Sequence, residues 1–433
     1  MGSSVVIALP VMGRDLGMNA ITLGWVNTAY LLAAAAFLVP LGRLADLRGR
    51  KRVFLIGLAV FTVTSLALAA VPNASTLIAL RVVQGVGATG MFATGMAIVT
   101  SVYPREERGR VFGIVIASVY LGLSAGPFAG GIITDYLGWR GLFVINGMIG
   151  TAVVILTVWK LKGEWSSGEI ARFDSVGAVL YVVALGAILY SVSSVTDWWA
   201  WVLLAAGVFA GFLFLRRQQT LTAPLLQLAG FRGNTAFIFS NLAALINYSA
   251  TFALAFLLSL YLQYIKGLSP QQAGVVMIAQ PVVMAAFSPM AGKLSDRIEP
   301  RVVSSLGMGL AAVGLFLFAF LSSSTGLPFI IASLMILGFG FALFSSPNTN
   351  AVMSSVGREH FGTASAVLGT MRLTGHTLSM AAATLILLAF VGRRPITIEV
   401  QSQFLQATRV AFASFAALCT VGVLFSLARG KMR

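Results

Sequence analysis

Charge is scarce in this chain. Of its 433 residues only 10% are Asp, Glu, Lys or Arg, against roughly 25% in a soluble domain. Hydrophobic residues make up 58%, more apolar surface than a water-soluble globule can hide, so the solvent is lipid. Acid is the scarcer sign, with 13 Asp and Glu against 29 Lys and Arg. Cysteine occurs once, as Cys419 inside an apolar run, which excludes an intrachain disulfide, a CxxC pair or a zinc spacing. Neither a metal cluster nor a nucleophile motif is present, so no cofactor is implied. Short alternating strands are missing too. The apolar runs are about 20 residues long, which suits membrane helices rather than the ~10-residue strands of a barrel. In lipid every backbone polar group must be paired internally, and helices achieve that within one segment.

The runs predict 14 spans: Ser3–Met12, Leu23–Leu41, Val53–Val71, Leu77–Val102, Phe112–Ile133, Leu142–Leu161, Val176–Val195, Trp198–Leu215, Phe237–Leu262, Ala273–Ala291, Val302–Leu321, Pro328–Met353, Ala364–Val391 and Val410–Ala428. The first is short of the ~20 residues needed to cross, and the chain is expected to begin inside that helix. The formal charge of +16 does not point to nucleic acid, because the basic residues sit in short loops and are asymmetric. If the loop 43–52 is cytoplasmic, 21 Lys and Arg fall on that side and 6 on the other, with Arg81 and Arg372 inside spans. That bias sets orientation, and an even number of spans puts both termini in the cytoplasm.

Residues 42–52 form the most informative loop. Gly42, Asp46, Arg48, Gly49 and Arg50 belong to a charged hinge that also holds Lys51 and Arg52. Its core recurs 250 residues later as Gly292-Lys293-Leu294-Ser295-Asp296-Arg297. A repeated hinge between apolar helices implies two similar membrane halves, the architecture of a secondary transporter. The first hinge follows span 2 and its copy follows span 10, so two spans are extra. The expected division is a six-helix bundle at 1–162, two linking helices within 163–232, and a second six-helix bundle at 233–433. The fold class is all-α membrane protein.

Polar residues inside spans are the candidate machinery, since charge in lipid is costly and faces protein or water. Arg81, with Gln84 on the next turn, is a functional cation, a structural one bonded to carbonyls, or one that snorkels to the surface. Arg372 and His376 are one turn apart, and His could take part in proton transfer. Gly122, Gly126, Pro127, Gly130 and Gly131 form a small-residue face with a helix-bending proline. Trp25, Asn27, Tyr30, Gln84, Asn146, Asn247, Tyr248, Gln280, Asn348 and Arg372 either line a substrate cavity or bridge helices. No carboxylate sits mid-span; Asp15, Asp135, Asp174 and Asp197 fall near span ends.

These motifs resemble those of the major facilitator superfamily, in its 14-helix drug:proton antiporter branch. Gly42–Arg52 is similar to the superfamily's loop between helices 2 and 3, Arg81–Gly87 to its helix 4 motif, and Gly122–Gly131 to the helix 5 motif of antiporters. Trp139-Arg140-Gly-Leu-Phe143-Val-Ile-Asn146, Trp25-Val-Asn-Thr-Ala-Tyr30 and Pro347-Asn348 resemble signatures of the branch. The resemblance implies two rocking bundles, with Asp46, Arg48, Arg50, Asp296 and Arg297 as a conformational gate. It implies that Arg81 helps relay protons, with Asp15 and His376 as further coupling candidates. It implies a monomer in the plasma membrane that exports hydrophobic, often cationic or amphipathic small molecules against protons. Transport of one metabolite, lipid or amino acid is the alternative expectation. An enzyme or a receptor without transport is disfavoured.

Overall fold

A computed structural model describes residues 2–166, 172–194, 197–221, 223–226, 231, 233–295, 297–357 and 361–430. Among the described residues every regular element is helical. The helices are α1 Gly2–Asp15, α2 Ala20–Arg48, α3 Arg50–Leu68, α4 Ala74–Val102, α5 Arg105–Lys160, α6 Ser175–Ser193, α7 Trp198–Thr220, α8 Thr235–Thr251, α9 Ala253–Leu260, α10 Pro270–Met277, α11 Ala279–Ser295, α12 Pro300–Phe318, α13 Leu327–Ser354, α14 Phe361–Val391 and α15 Gln401–Ala428. A π turn, Tyr261–Ile265, ends α9. Twelve helical segments among the described residues are long and apolar enough to cross a membrane.

The segment boundaries depart from the hydropathy runs in three places. Expected spans 5 and 6 run together as α5, broken at Gly138 with φ 71° and ψ 171°. Backbone torsions stay helical through Pro127, so the non-helical residue is the glycine. Expected span 9 divides into α8 and α9 at Phe252, and expected span 10 into α10 and α11 at Ile278, while both residues keep right-handed helical torsions and each pair runs on as one span. Hydropathy reports side chains and cannot register a break in the backbone ladder.

The chain forms two compact units. One holds residues 1–25, 117–142 and 231–433. There α13 lies against both α11 and α12. The α12–α13 contact is backbone to backbone at Gly340, where an added Cβ would lie 2.7 Å from the Ala311 nitrogen. Small residues let helices approach this closely in lipid, where packing replaces hydrophobic drive. A capping box of Ser269 and Gln272, with Pro270 at the first turn, starts α10.

The other unit holds residues 26–116 and 143–230. Here α3 meets α4 at Gly57 and Gly90, and α6 pairs with α7. Val39 of α2 joins Ala178, Tyr181, Phe214 and Leu225 in a buried core. Asp174 ties α6 to α7. Its carboxylate caps the Gly177 N–H at 2.9 Å and accepts from Arg217 at 2.8 Å and Gln218 at 3.0 Å. Burial alone would raise this carboxyl, but the Gly177, Arg217 and Gln218 bonds outweigh it and hold it below its ordinary value.

Candidate functional site: hinge, buried arginines and an aromatic cluster

The charged hinge folds around an i,i+4 pair. Asp46 Oδ1 accepts from Arg50 Nε at 2.9 Å and lies 2.8 Å from Arg50 Nη2. Arg50 also donates to Ser101 Oγ at 2.8 Å and to the Ala97 carbonyl at 3.3 Å, which anchors the hinge on α4. Gly49 sits at φ 114°, a conformation that favours glycine. Glu164, on the loop after α5, accepts from the Lys51 and Arg52 backbone N–H groups at 2.9 and 3.1 Å. It thereby caps α3, whose N-terminus favours an anion. Gly42 has room beside Ala93, and Arg48 is exposed. In the repeat, Arg297 is exposed and Asp296 lies outside the described residues.

Arg81 is 1% exposed, which removes snorkelling as a description of it. Its Nε donates to the Val26 carbonyl at 3.0 Å, and its Nη1 donates to Gln84 Oε1. Gln84 in turn donates to Ser65 Oγ at 2.8 Å. The guanidinium lies 4.3 Å from the Tyr30 ring centroid. Gly85 makes this set feasible, because its bare Cα faces the Tyr30 carbonyl and no side chain would fit. Neutral groups therefore solvate a buried cation, and among the described residues no carboxylate pairs with it. Asn27, on the next turn of α2, is 4% exposed with an unpartnered Nδ2. Asn146 is half-buried on the last part of α5.

The glycine face of α5 divides its work. Gly126 and Gly130 meet Ser3 and Ser4 of α1. Gly131 meets the backbone of Pro270 and Gln271, and the Pro127 carbonyl meets Gly274 of α10. Gly122 faces open space. Near this contact Asp135 accepts from Ser269 Oγ at 2.8 Å and the Gln271 N–H at 3.0 Å. Asp15 accepts from the Trp139 indole at 2.9 Å and pairs with Arg140. The indole, then the guanidinium, hold the Asp15 carboxyl below its ordinary value. Trp25 is half-buried on the first turns of α2.

A second polar and aromatic set surrounds Tyr248 of α8. Arg372 Cζ lies 5.3 Å from the Tyr248 centroid. The His376 ring meets Tyr248 edge-on at 5.1 Å and stacks on Phe252 at 4.0 Å. Phe341 and Phe344 of α13 close around Tyr248 at 5.6 and 6.3 Å. Gly375 sets the geometry: an added Cβ would lie 2.7 Å from the Leu245 carbonyl and 2.8 Å from Tyr248 Cβ. Beside this set the backbone stays helical through Phe252, but one ladder bond is redirected. The Ala253 N–H donates instead to Ser379 Oγ of α14, at 2.9 Å. Asn247 is fully buried, with neither end of its amide partnered, and Arg372 Nε is also buried and unpartnered. Asn348 donates to the Ser240 carbonyl at 3.2 Å, and its oxygen is unpartnered. Gln280 is half-buried on α11, its carbonyl against Gly338.

The sequence pattern of the Major Facilitator Superfamily matches residues 1–168 and 241–431. The chain belongs to that superfamily. It is 32% identical over 383 residues to the riboflavin transporter RibZ of Clostridioides difficile, covering 88% of this chain and 83% of that one. It is 30% identical over 397 residues to the multidrug resistance protein Stp of Mycobacterium tuberculosis, covering 89% and 72%. Among solved structures, a POT family transporter in complex with a thioalcohol-conjugated peptide is alike in fold, with a TM-score of 0.74 over 98% of this chain and 92% of that one at 14% identity. This superfamily member is a multi-pass membrane transport protein.

Sequence reasoning missed several groups of this transporter. Glu164 and Ser379 act through backbone N–H groups far away in sequence, a role that no local spacing announces. Ser65 shares no motif with Arg81. Arg429, just past α15, is 1% exposed and donates to Ser304 Oγ at 2.9 Å and the Ser426 carbonyl at 2.7 Å. Burial pushes its guanidinium down to about 10. Its place among the basic residues of the C-terminal tail made it read as a loop charge.

Proposed function

We infer that this superfamily member exports small hydrophobic and amphipathic compounds by alternating access, in exchange for protons. The observation that carries this reading is a buried polar and aromatic set on α8 and α14: Tyr248, Arg372 and His376 lie beside the unpartnered Asn247 amide and Arg372 Nε, groups that a ligand would satisfy. The resistance role in the name of Stp supports outward transport.

The reading extends to 14 spans in the plasma membrane: six in 1–162, two in 163–232 and six in 233–433. Both termini are cytoplasmic, and the protein is a monomer. The hinge from Gly42 to Arg50, with Asp296 and Arg297 in the repeat, acts as the gate. Arg81, Asp15 and His376 carry coupling. In this arrangement Trp139 and Arg140 hold the Asp15 carboxyl below its ordinary value, so a coupling role requires a second arrangement in which those bonds are broken and proton uptake is easier. The test is proteoliposomes of the full chain containing a pH-sensitive dye. A substrate-dependent pH change supports antiport. Substrate movement with no proton movement would leave a facilitator.

A second reading, transport of one specific metabolite, has its own support in the likeness to RibZ, named a riboflavin transporter. Deleting the gene and profiling retained metabolites separates the two. A single accumulated compound favours the second reading.

A further inference from the structure

We propose that the site formed by Tyr248, Phe252, Arg372 and His376 selects flat aromatic substrates that are anionic or carry an acceptor edge, and discriminates against lipophilic cations. This rests on the transport reading above and names its substrate class. The argument begins with charge. Helices α8, α9, α13 and α14 supply the ring cluster, and their sequences contain no Asp or Glu. Arg372 and His376 are the ionisable cation-forming residues among them. A cation held near Phe252 would meet the Arg372 guanidinium without a countercharge. Like charges brought together in a desolvated site repel, so a cation should bind about 10- to 100-fold more weakly than an anion of the same frame.

Shape comes from the rings. His376 stacks on Phe252 at 4.0 Å and meets Tyr248 edge-on at 5.1 Å, an aromatic cluster that a flat ligand would extend by stacking. Directionality comes from the unpartnered atoms. Arg372 Nε is a buried donor without an acceptor, and Asn247 offers both a donor and an acceptor at zero exposure. Buried polar groups in native proteins are nearly all satisfied. A ligand that brings an acceptor to Arg372 and an imide-like or carboxyl edge to Asn247 would satisfy them.

The test uses two dyes on one xanthene frame, anionic fluorescein and cationic rhodamine 123. Their binding to the purified full chain is read by fluorescence anisotropy, which needs no transport. The expected result is fluorescein binding at least about tenfold tighter, a preference lost in Arg372→Gln and largely kept in Arg372→Lys. Equal or tighter binding of rhodamine 123, binding of neither dye, or an unchanged preference in Arg372→Gln each overturns the proposal. Folding of the variants is checked by retained burial of Cys419. Transport is measured separately. If fluorescein binds with the expected preference but no dye crosses the liposome membrane, the substrate class stands and the export reading falls.

Discussion

Replacing Arg81 separates a structural arginine from a working one. Arg81→Ala removes the donor to the Val26 carbonyl, 3.0 Å away, and the donor to Gln84. Each buried acceptor left unpaired costs about 1–3 kcal/mol. Truncating a fully buried side chain of this length adds a cavity worth about 2–5 kcal/mol by analogy with large-to-alanine changes. Against these stands the desolvation cost of the guanidinium, several kcal/mol, which the variant no longer bears. The net for alanine is a loss of about 2–4 kcal/mol. Arg81→Met fills most of the cavity and also removes the charge, so its net loss is about 0–2 kcal/mol. Cys419 is the only cysteine in the chain and is fully buried. Its labelling by a thiol-reactive fluorophore on heating therefore reports unfolding. The alanine variant should unfold several degrees below the native protein, and the methionine variant within a few degrees of it. Both should lose pH-gradient-driven transport, while Arg81→Lys keeps a fraction. If Arg81→Met transports at the native rate, the guanidinium serves packing alone and the coupling argument collapses.

Asp46→Asn should cut transport about tenfold while moving the unfolding temperature little, because a surface ion pair contributes only about 0–1 kcal/mol and Arg50 keeps Ser101 and Ala97; native transport rates would refute the gate role. Asp15→Asn should lower the unfolding temperature equally at pH 7 and pH 5. The Asp15 carboxyl is held below its ordinary value, so its contribution is complete above the unfolded carboxyl at about 3.9 and fades only as pH falls through the lower folded value. Thermal scans at both pH values check this, and a deficit that vanishes at pH 5 would contradict it. Gly375→Ala should cost about 1–3 kcal/mol of stability and weaken fluorescein binding, because the new Cβ drives α14 away from Tyr248; unchanged binding would show that the close approach does not set the site.

What was legible in the sequence and what was not divide along one physical line. Hydropathy over ~20-residue windows counts side chains, so the helical, multi-span class could be read directly, and so could the polar residues inside spans. Arg81, Asn247 and Asn348 are each buried in apolar helices where lipid-like composition had made them stand out. Breaks in the ladder could not be read. Phe252 is as apolar as its neighbours, and the one ladder bond lost beside it goes to Ser379, on another helix, whose hydroxyl accepts from the Ala253 N–H. Gly375 read as one small residue among 45 glycines. Its importance lies in the Leu245 carbonyl on another helix, a coordinate that spacing along one chain does not contain. Glu164 was hidden for the same reason, since it caps α3 from the far side of α4 and α5.

The shortage of acid in the spans and the chemistry of the Tyr248 site bear on a single question, namely what drives export. A transporter of cations working against an inside-negative potential loses about 2.3 kcal/mol per charge per 100 mV, and needs protonatable carboxylates to recover it from the proton gradient. This chain places no carboxylate mid-span. Its buried cation Arg81 is solvated by a carbonyl, an amide and a ring, with no carboxylate partner among the described residues. An anion leaving the same cell gains those 2.3 kcal/mol rather than losing them. On the proposed reading, substrates attracted by Arg372 would be the ones for which the missing carboxylate matters least. Proton exchange at Asp15 or His376 would then add to a gradient already favourable, so that the substrate's charge and the protein's scarcity of acid would be parts of the same energetic arrangement.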